Sequence, residues 1–275
     1  MNISKLPPGV GTAFFAVLMG PCAAGKTTIA GTLAHYLTAL SKEHAPIVLD
    51  TSAVIRLHMQ MRTTIGIKLT ELKAGMQPHE LFKDCVTIEA VITHIIGQFE
   101  RAQNRADGIV LSGSPRTKRQ FELLGRAGVN GNLRGIHLQV GIEFAIEKAK
   151  KRTANGSNRE DDQCFNERWD THQRFEGPLL HKIRRHVRTK PSALLTVDKE
   201  KTGLLDSIRL ILEHLFDHAP EGKRRDFLSE ARNGCYGNIH PILAEICAHV
   251  ENPDTLSPER NDHWRKKLQE PLVGV

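Results

Sequence analysis

Residues 20–27 read Gly-Pro-Cys-Ala-Ala-Gly-Lys-Thr, and Thr28 follows. The run satisfies G-x-x-x-x-G-K-[S/T] without departure. An apolar run, Thr12–Met19, leads into it, and an amphipathic stretch, Thr27–Leu40, leads away. Strand, tight loop and helix in that order aim the backbone N–H groups of the loop and of the helix start at one small volume, a nest for anions. Gly20 and Gly25 permit backbone angles and close approaches that a Cβ forbids. Pro21, Cys22, Ala23 and Ala24 form the body of the loop. Lys26 is long enough to reach the outer phosphates of a nucleoside triphosphate, and the Thr27 hydroxyl suits Mg²⁺. ATP and Mg²⁺ are therefore the expected ligands, with residues 20–28 as the triphosphate site.

That loop needs a particular scaffold, and the rest of the chain supplies its pattern. Five apolar runs read as buried strands: Ala13–Met19, Pro46–Leu49, Gly108–Leu111, Gly135–Val140 and Ala193–Val197. Helical patterns separate them, which predicts an α/β fold on a five-stranded parallel sheet, with ligands at the carboxyl ends of the strands. The stretch from Thr51 to about 104 is too long for a simple crossover. It reads as a helical insertion: Ser52–Arg62, a break at Gly66, Ile67–Ala74, then a helix from Pro78 to Asn104, Pro78 suiting a first helical turn. Residues 152–159, Arg-Thr-Ala-Asn-Gly-Ser-Asn-Arg, are polar and turn-forming, and predict a short loop over the phosphate site. A helix over Thr202–His218 ends at a boundary, Ala219-Pro-Glu-Gly222. The chain thus divides into a domain over 1–219 and an extension over 220–275 with weak helical segments, of unknown role and a candidate surface for a protein partner.

Composition narrows the class. Hydrophobic content of 40 % supports a sizeable core. The five cysteines (22, 85, 164, 235 and 247) show no paired spacing, which favours reduced thiols and a cytoplasmic setting over a disulfide or zinc framework. Cys22 has two readings, an oxidisable thiol or a small residue that fits the loop. No apolar run approaches the length of a membrane span, and Met1–Gly11 does not read as a signal peptide. The net charge of +7 is uneven: residues 220–275 hold 8 basic and 9 acidic side chains, whereas 148–190 hold 12 and 6. A concentrated positive field suits polyanions. With 5 % aromatic residues and no stacking pattern, nucleotides are the expected partners rather than nucleic acid.

Five further segments stand in order after the loop: Thr51-Ser-Ala-Val-Ile-Arg56; Gly75-Met-Gln-Pro-His79; Gly113-Ser-Pro-Arg-Thr117 with Gln120; Arg159-Glu-Asp-Asp162; and Arg168. In that order they resemble the adenylate kinase family of nucleoside monophosphate kinases, in a divergent, short-lid form. The resemblance covers about 13–218, roughly three quarters of the chain. It implies the P-loop NTPase fold, with the insertion binding the monophosphate and the short loop acting as lid. Lys26 matches the phosphate-loop lysine. Thr51 and Arg56 match the threonine near the acceptor base and an arginine on the acceptor phosphate. Gly113 and Arg116 match the loop carrying the second acceptor-phosphate arginine, and Gln120 the glutamine that reads the acceptor base. Arg152 and Arg159 match lid arginines, and Arg168 a further arginine at the reaction centre. Lys148 stands where the family has an arginine near the donor base, and Lys201 near the segment whose backbone meets that base. Asp161 and Asp162 match acids that orient lid arginines. Arginine forks bind phosphate bidentately and stay charged at any working pH, as phosphoryl transfer between two nucleotides requires.

The chain also departs from that pattern. Where the family has Asp-Gly-Phe-Pro-Arg-Thr, this sequence has Ser112-Gly-Ser-Pro-Arg-Thr, and the acid of Thr-Gly-Asp is Ala53. Asp50 has two readings: an acid near the metal, or the N-cap of the next helix. The segment between Asp162 and Arg168 is shorter than the family's, which leaves Arg174 as an alternative to Arg168. The leading expectation is a nucleoside monophosphate kinase, with Thr51 favouring AMP. The alternatives are a nucleotide-binding protein with weak or no kinase activity, or a P-loop kinase for another small acceptor.

Overall fold

The computed structural model describes residues 5–6, 14–40, 46–77, 79–102, 106, 108–129, 133–154, 164–186 and 194–216. The chain divides into a unit Met1–His218 and a unit Ala219–Val275. The second unit lies outside the described residues, and with it the helical segments and the partner surface expected there.

The five strands are β1 (Phe14–Met19), β2 (Ile47–Asp50), β3 (Gly108–Ser112), β4 (Leu133–Gln139) and β5 (Leu194–Asp198). All neighbours pair in parallel, in the order β2-β3-β1-β4-β5. The fold is the expected α/β P-loop architecture. β1 is central, and successive crossovers leave it in opposite directions, so its carboxyl end is the switch point at which such sheets bind ligands. Both faces of the sheet are covered, which is why the strands read as unbroken apolar runs. Val17, Ile109 and Leu111 are fully buried beneath Ile88, Val91, Ile92 and Ile95.

Eight described helices surround the sheet. α1 (Lys26–Leu40) buries Ile29, Ala30, Leu33 and Leu37 at three- and four-residue spacing. α2 (Thr51–Gln60), α3 (Thr64–Ala74) and α4 (Asp84–Arg101) form the insertion. The remainder are α5 (Lys118–Arg126), α6 (Ile142–Ala154), α7 (Phe165–His186, with Pro178 inside it) and α8 (Leu204–Phe216).

Two expectations for the insertion need correction. Gly66 does not break a helix; it sits in the first turn of α3, and its N–H donates to the capping Thr63 hydroxyl at 3.0 Å. Its reason for being glycine is contact: a Cβ there would collide with the carbonyl of His58. The break comes earlier, over Met61–Thr63, where Arg62 takes a left-handed φ of 49°. The last helix starts at Asp84, not at Pro78. Pro78 itself lies outside the described residues. Among the described residues no helix is long and apolar enough to cross a membrane.

Candidate active site

The phosphate loop forms the floor of the site. Gly20 has φ 136° and passes so close to β4 that a Cβ would lie 2.5 Å from the Leu138 carbonyl oxygen, while Gly25 has φ 84°. Lys26 folds over the loop, its Nζ donating to the carbonyls of Gly20 (2.8 Å) and Pro21 (2.5 Å). Burial, then the Arg116 guanidinium, push its pKa down to about 7; Arg168 adds to the push, while Cys22 and Asp50 oppose it. An ammonium crowded by guanidinium groups is stabilised by any anion that arrives between them.

Three arginines reach this volume from separate elements. Arg116 leaves the β3–α5 loop, Arg152 the last turn of α6, and Arg168 the first turn of α7. Arg116 and Arg168 bear electrostatically on Lys26, and Arg168 and Arg152 on Cys22. Arg168 therefore lies near the loop, and Arg174 is exposed further along α7. Arg56 is exposed on α2. Arg159, Asp161 and Asp162 lie outside the described residues.

Cys22 resolves in favour of packing. With Ala23 it lies against Ala145, Ala149, Phe165 and Trp169, at the roots of α6 and α7. Burial pushes its thiol pKa up, against the pull of Lys26, Arg168 and Arg152, so the protonated, unreactive form is favoured.

The candidate metal-side positions lie at the ends of β2 and β3, where Asp50 pairs with Ser112 in the ladder. The N-cap reading of Asp50 holds, and the same carboxylate also faces the phosphate-loop threonine. One carboxylate oxygen accepts the Ala53 N–H at 3.0 Å and caps α2; the other faces the Thr27 hydroxyl at 3.4 Å. Beside them Ser112 is fully buried, and its hydroxyl has no hydrogen-bond partner. Among the described residues no group of three His, Cys, Asp or Glu side chains is placed to hold a metal. Mg²⁺ needs no such cage, because one carboxylate, substrate phosphates and water commonly complete its shell. A carboxylate, an adjacent hydroxyl and an orphaned buried hydroxyl fit that requirement.

The residues expected on the acceptor side spend polar atoms locally. The Gln120 side-chain Oε1 accepts the Arg116 backbone N–H at 2.7 Å, and the Gln120 backbone N–H donates to the Thr117 hydroxyl at 3.0 Å. Arg116 Nε donates to the Gly113 carbonyl at 2.9 Å, across a turn with φ 82° at Gly113. Gln120 thus shapes the loop that aims Arg116. The buried Thr51 hydroxyl donates to the Ser112 carbonyl at 2.9 Å. Of the residues expected near the donor base, Lys148 is exposed, with its ammonium 5.3 Å from the centroid of the Phe144 ring. Lys201 is exposed and pairs with Asp198 at 3.1 Å. Thr28 is exposed in the first turn of α1, where its carbonyl accepts the Thr32 hydroxyl.

One charged cluster escaped the sequence reading. Glu176 of α7 accepts from His137 of β4 and His172 of α7. The only trace in the sequence is the four-residue spacing of His172 and Glu176, which any exposed helix face can show.

No protein-family model matches the chain. Curated relatives do. It is 27 % identical over 194 residues to the adenylate kinase of Nitrobacter hamburgensis, covering 66 % of this chain and 83 % of that one. It is 29 % identical over 212 residues to the adenylate kinase of Methylorubrum populi, covering 70 % and 96 %. With the adenylate kinase of Alkaliphilus oremlandii it shares 31 % over 139 residues, covering 50 % and 57 %. The chain is thus similar to adenylate kinases, at 27–31 % identity over 50–70 % of its length.

Proposed function

We propose that this chain is an ATP-dependent nucleoside monophosphate kinase, with AMP the favoured acceptor. The observation that carries the reading is the convergence of Lys26, Arg116, Arg152 and Arg168 on the phosphate loop. A phosphoryl group in flight spreads its charge over three oxygens, and positioned cations are the main thing a protein can offer it. A simple triphosphate binder has little use for arginines from three further elements.

In this reading the loop amides and Lys26 hold the β- and γ-phosphates. An oxygen of the acceptor phosphate attacks the γ-phosphorus in line, and the bond to the β–γ bridging oxygen breaks, giving two diphosphates. Arg116, with Arg56 from the insertion, takes the acceptor phosphate. Arg152 and Arg168, with Arg159 from the lid, take the group in transit. Thr27 and Asp50 hold Mg²⁺, which when bound neutralises charge on the triphosphate. Lys148 and the segment around Lys201 lie on the side of the donor base. Gly113, Thr51 and Gln120 build the acceptor pocket, the latter two through the hydrogen bonds that fix its walls. AMP is favoured because the relatives are adenylate kinases and because Thr51 fits that subclass.

Ser112 favours a second reading, a nucleotide-binding protein of low turnover, since an acid is absent from the end of β3. The test for both is a panel of AMP, dAMP, CMP, UMP, GMP and dTMP with Mg·ATP, using Lys26→Ala as control. Diphosphate formed from AMP, and abolished in the control, is the expected result. ATP binding without transfer to any acceptor selects the second reading.

A further inference from the structure

Three titratable side chains that take no part in the chemistry above meet at one atom. The same oxygen of Glu176 accepts from His137 Nε2 at 2.6 Å and from His172 Nε2 at 2.8 Å. All three are largely covered, with side-chain exposures of 9 % for His137 and 18 % for the other two. Burial pushes the Glu176 pKa up, but the hydrogen bonds from His137 and His172 outweigh it and hold the carboxyl at about 2. The acceptor is therefore a carboxylate at any working pH. Burying such a cluster costs desolvation energy that apolar packing would not. α7 does use apolar packing further along, where Leu179 and Ile183 join the main core.

The place of the cluster says what it does. His137 pairs in the ladder with Met19, the residue immediately before Gly20 of the phosphate loop. His172 lies about one helical turn from Arg168, and Glu176 about two. Arg168 in turn bears on Lys26 and Cys22. The cluster therefore bridges the strand beside the one that feeds the loop and the helix that carries an arginine to it. Apolar contacts tolerate small slides of a helix. A slip of one residue along α7 moves Arg168 by about 1.5 Å and turns it by about 100°, which no short hydrogen bond to His137 survives.

We propose that His137, His172 and Glu176 form a positioning pin that fixes α7 against β4 and thereby sets the Arg168 guanidinium over the phosphate loop. The proposal rests on the phosphoryl-transfer reading for its consequence in turnover, and on geometry alone for the placement of Arg168. None of the three side chains touches the reacting atoms; they act through Arg168.

A double-mutant cycle between Glu176→Ala and Arg168→Ala tests this, because only residues that act through one another fail to add. Glu176→Ala is expected to lower kcat by about tenfold or more while KM for AMP changes by less than about threefold, and to add less than about twofold in the Arg168→Ala background. Glu176→Gln keeps the shape and one acceptor oxygen, and is expected to recover part of the rate. It also carries the cycle if the alanine variant does not fold. Equal losses in both backgrounds, or no loss of kcat in a folded Glu176 variant, overturn the proposal. The same cycle is read in ATP affinity through Trp169 fluorescence, with Trp264→Phe to leave a single reporter. If no acceptor is phosphorylated, coupling in that binding cycle sustains the pin while the kinase reading fails, and additivity there overturns the pin.

Discussion

Nucleotide binding to this chain is expected to take up a proton, and the proton belongs to Lys26. Burial and the Arg116 guanidinium hold its pKa at about 7, against an ordinary 10.5. Phosphate oxygens against Nζ favour the ammonium and return the pKa toward its ordinary value. Between the two values the unliganded protein has a largely neutral Lys26 and the complex a charged one. At about pH 8 roughly one tenth of the unliganded molecules carry the charge, so binding takes up about 0.9 proton. Apparent affinity follows the charged fraction, which falls from about one half at pH ~7 to about one hundredth at pH ~9, a loss of about 50-fold. Folding responds with the opposite sign. The pKa is depressed in the folded state, so the unfolded chain binds more protons between about 7 and 10.5, and this group's contribution to stability rises with pH across that window. Calorimetric titration of Mg·ATP at about pH 8, in two buffers of different ionisation enthalpy, reads the proton directly. Lys26→Met should bind with no such uptake. Wild-type binding without proton uptake, or an affinity flat from pH ~7 to ~9, refutes the account of Lys26.

Three other perturbations follow from the site and the insertion. Asp50→Asn keeps the cap on α2, since asparagine caps as well as aspartate, so the melting temperature should hold while the Mg²⁺ concentration for half-maximal nucleotide binding rises about tenfold or more; an unchanged Mg²⁺ requirement removes Asp50 from the metal site. Ser112→Asp places a second carboxylate beside Asp50 in the ladder, which should cost about 1–3 kcal/mol in urea unfolding without metal and regain stability with Mg·ATP; equal stability in both conditions contradicts this. Gly66→Ala drives a methyl group against the His58 carbonyl and should destabilise the insertion by about 3 kcal/mol, read as faster amide exchange in α2 and α3 than in β1.

The parts of the fold that follow from local rules were legible. All five strands fall within two residues of their sequence-read bounds, because a strand buried on both faces is an apolar run with few alternatives. The phosphate loop was legible because its glycines, lysine and threonine must stand at fixed spacing. Gly66 misled, since glycine marks a break only when the backbone needs its angles, and here it makes room for a neighbouring helix. Pro78 misled because the residues after it stay irregular up to Lys83. Motif order assigns Gln120 and Thr51 to an expected acceptor side, but their hydrogen bonds to Arg116 and Ser112 depend on how the loop turns. His137 and Glu176 are 39 residues apart, on a strand and a helix, and no periodicity links them.

The most direct test of the central claim is product stoichiometry with Mg·ATP, in the presence and absence of AMP. Arginines placed to carry a phosphoryl group to a second nucleotide predict two ADP for each ATP consumed when AMP is present. They also predict little inorganic phosphate in either condition, and loss of transfer in Lys26→Ala and Arg116→Ala. Release of inorganic phosphate at the same rate with and without AMP would contradict the account, because the converging cations would then serve water rather than an acceptor nucleotide.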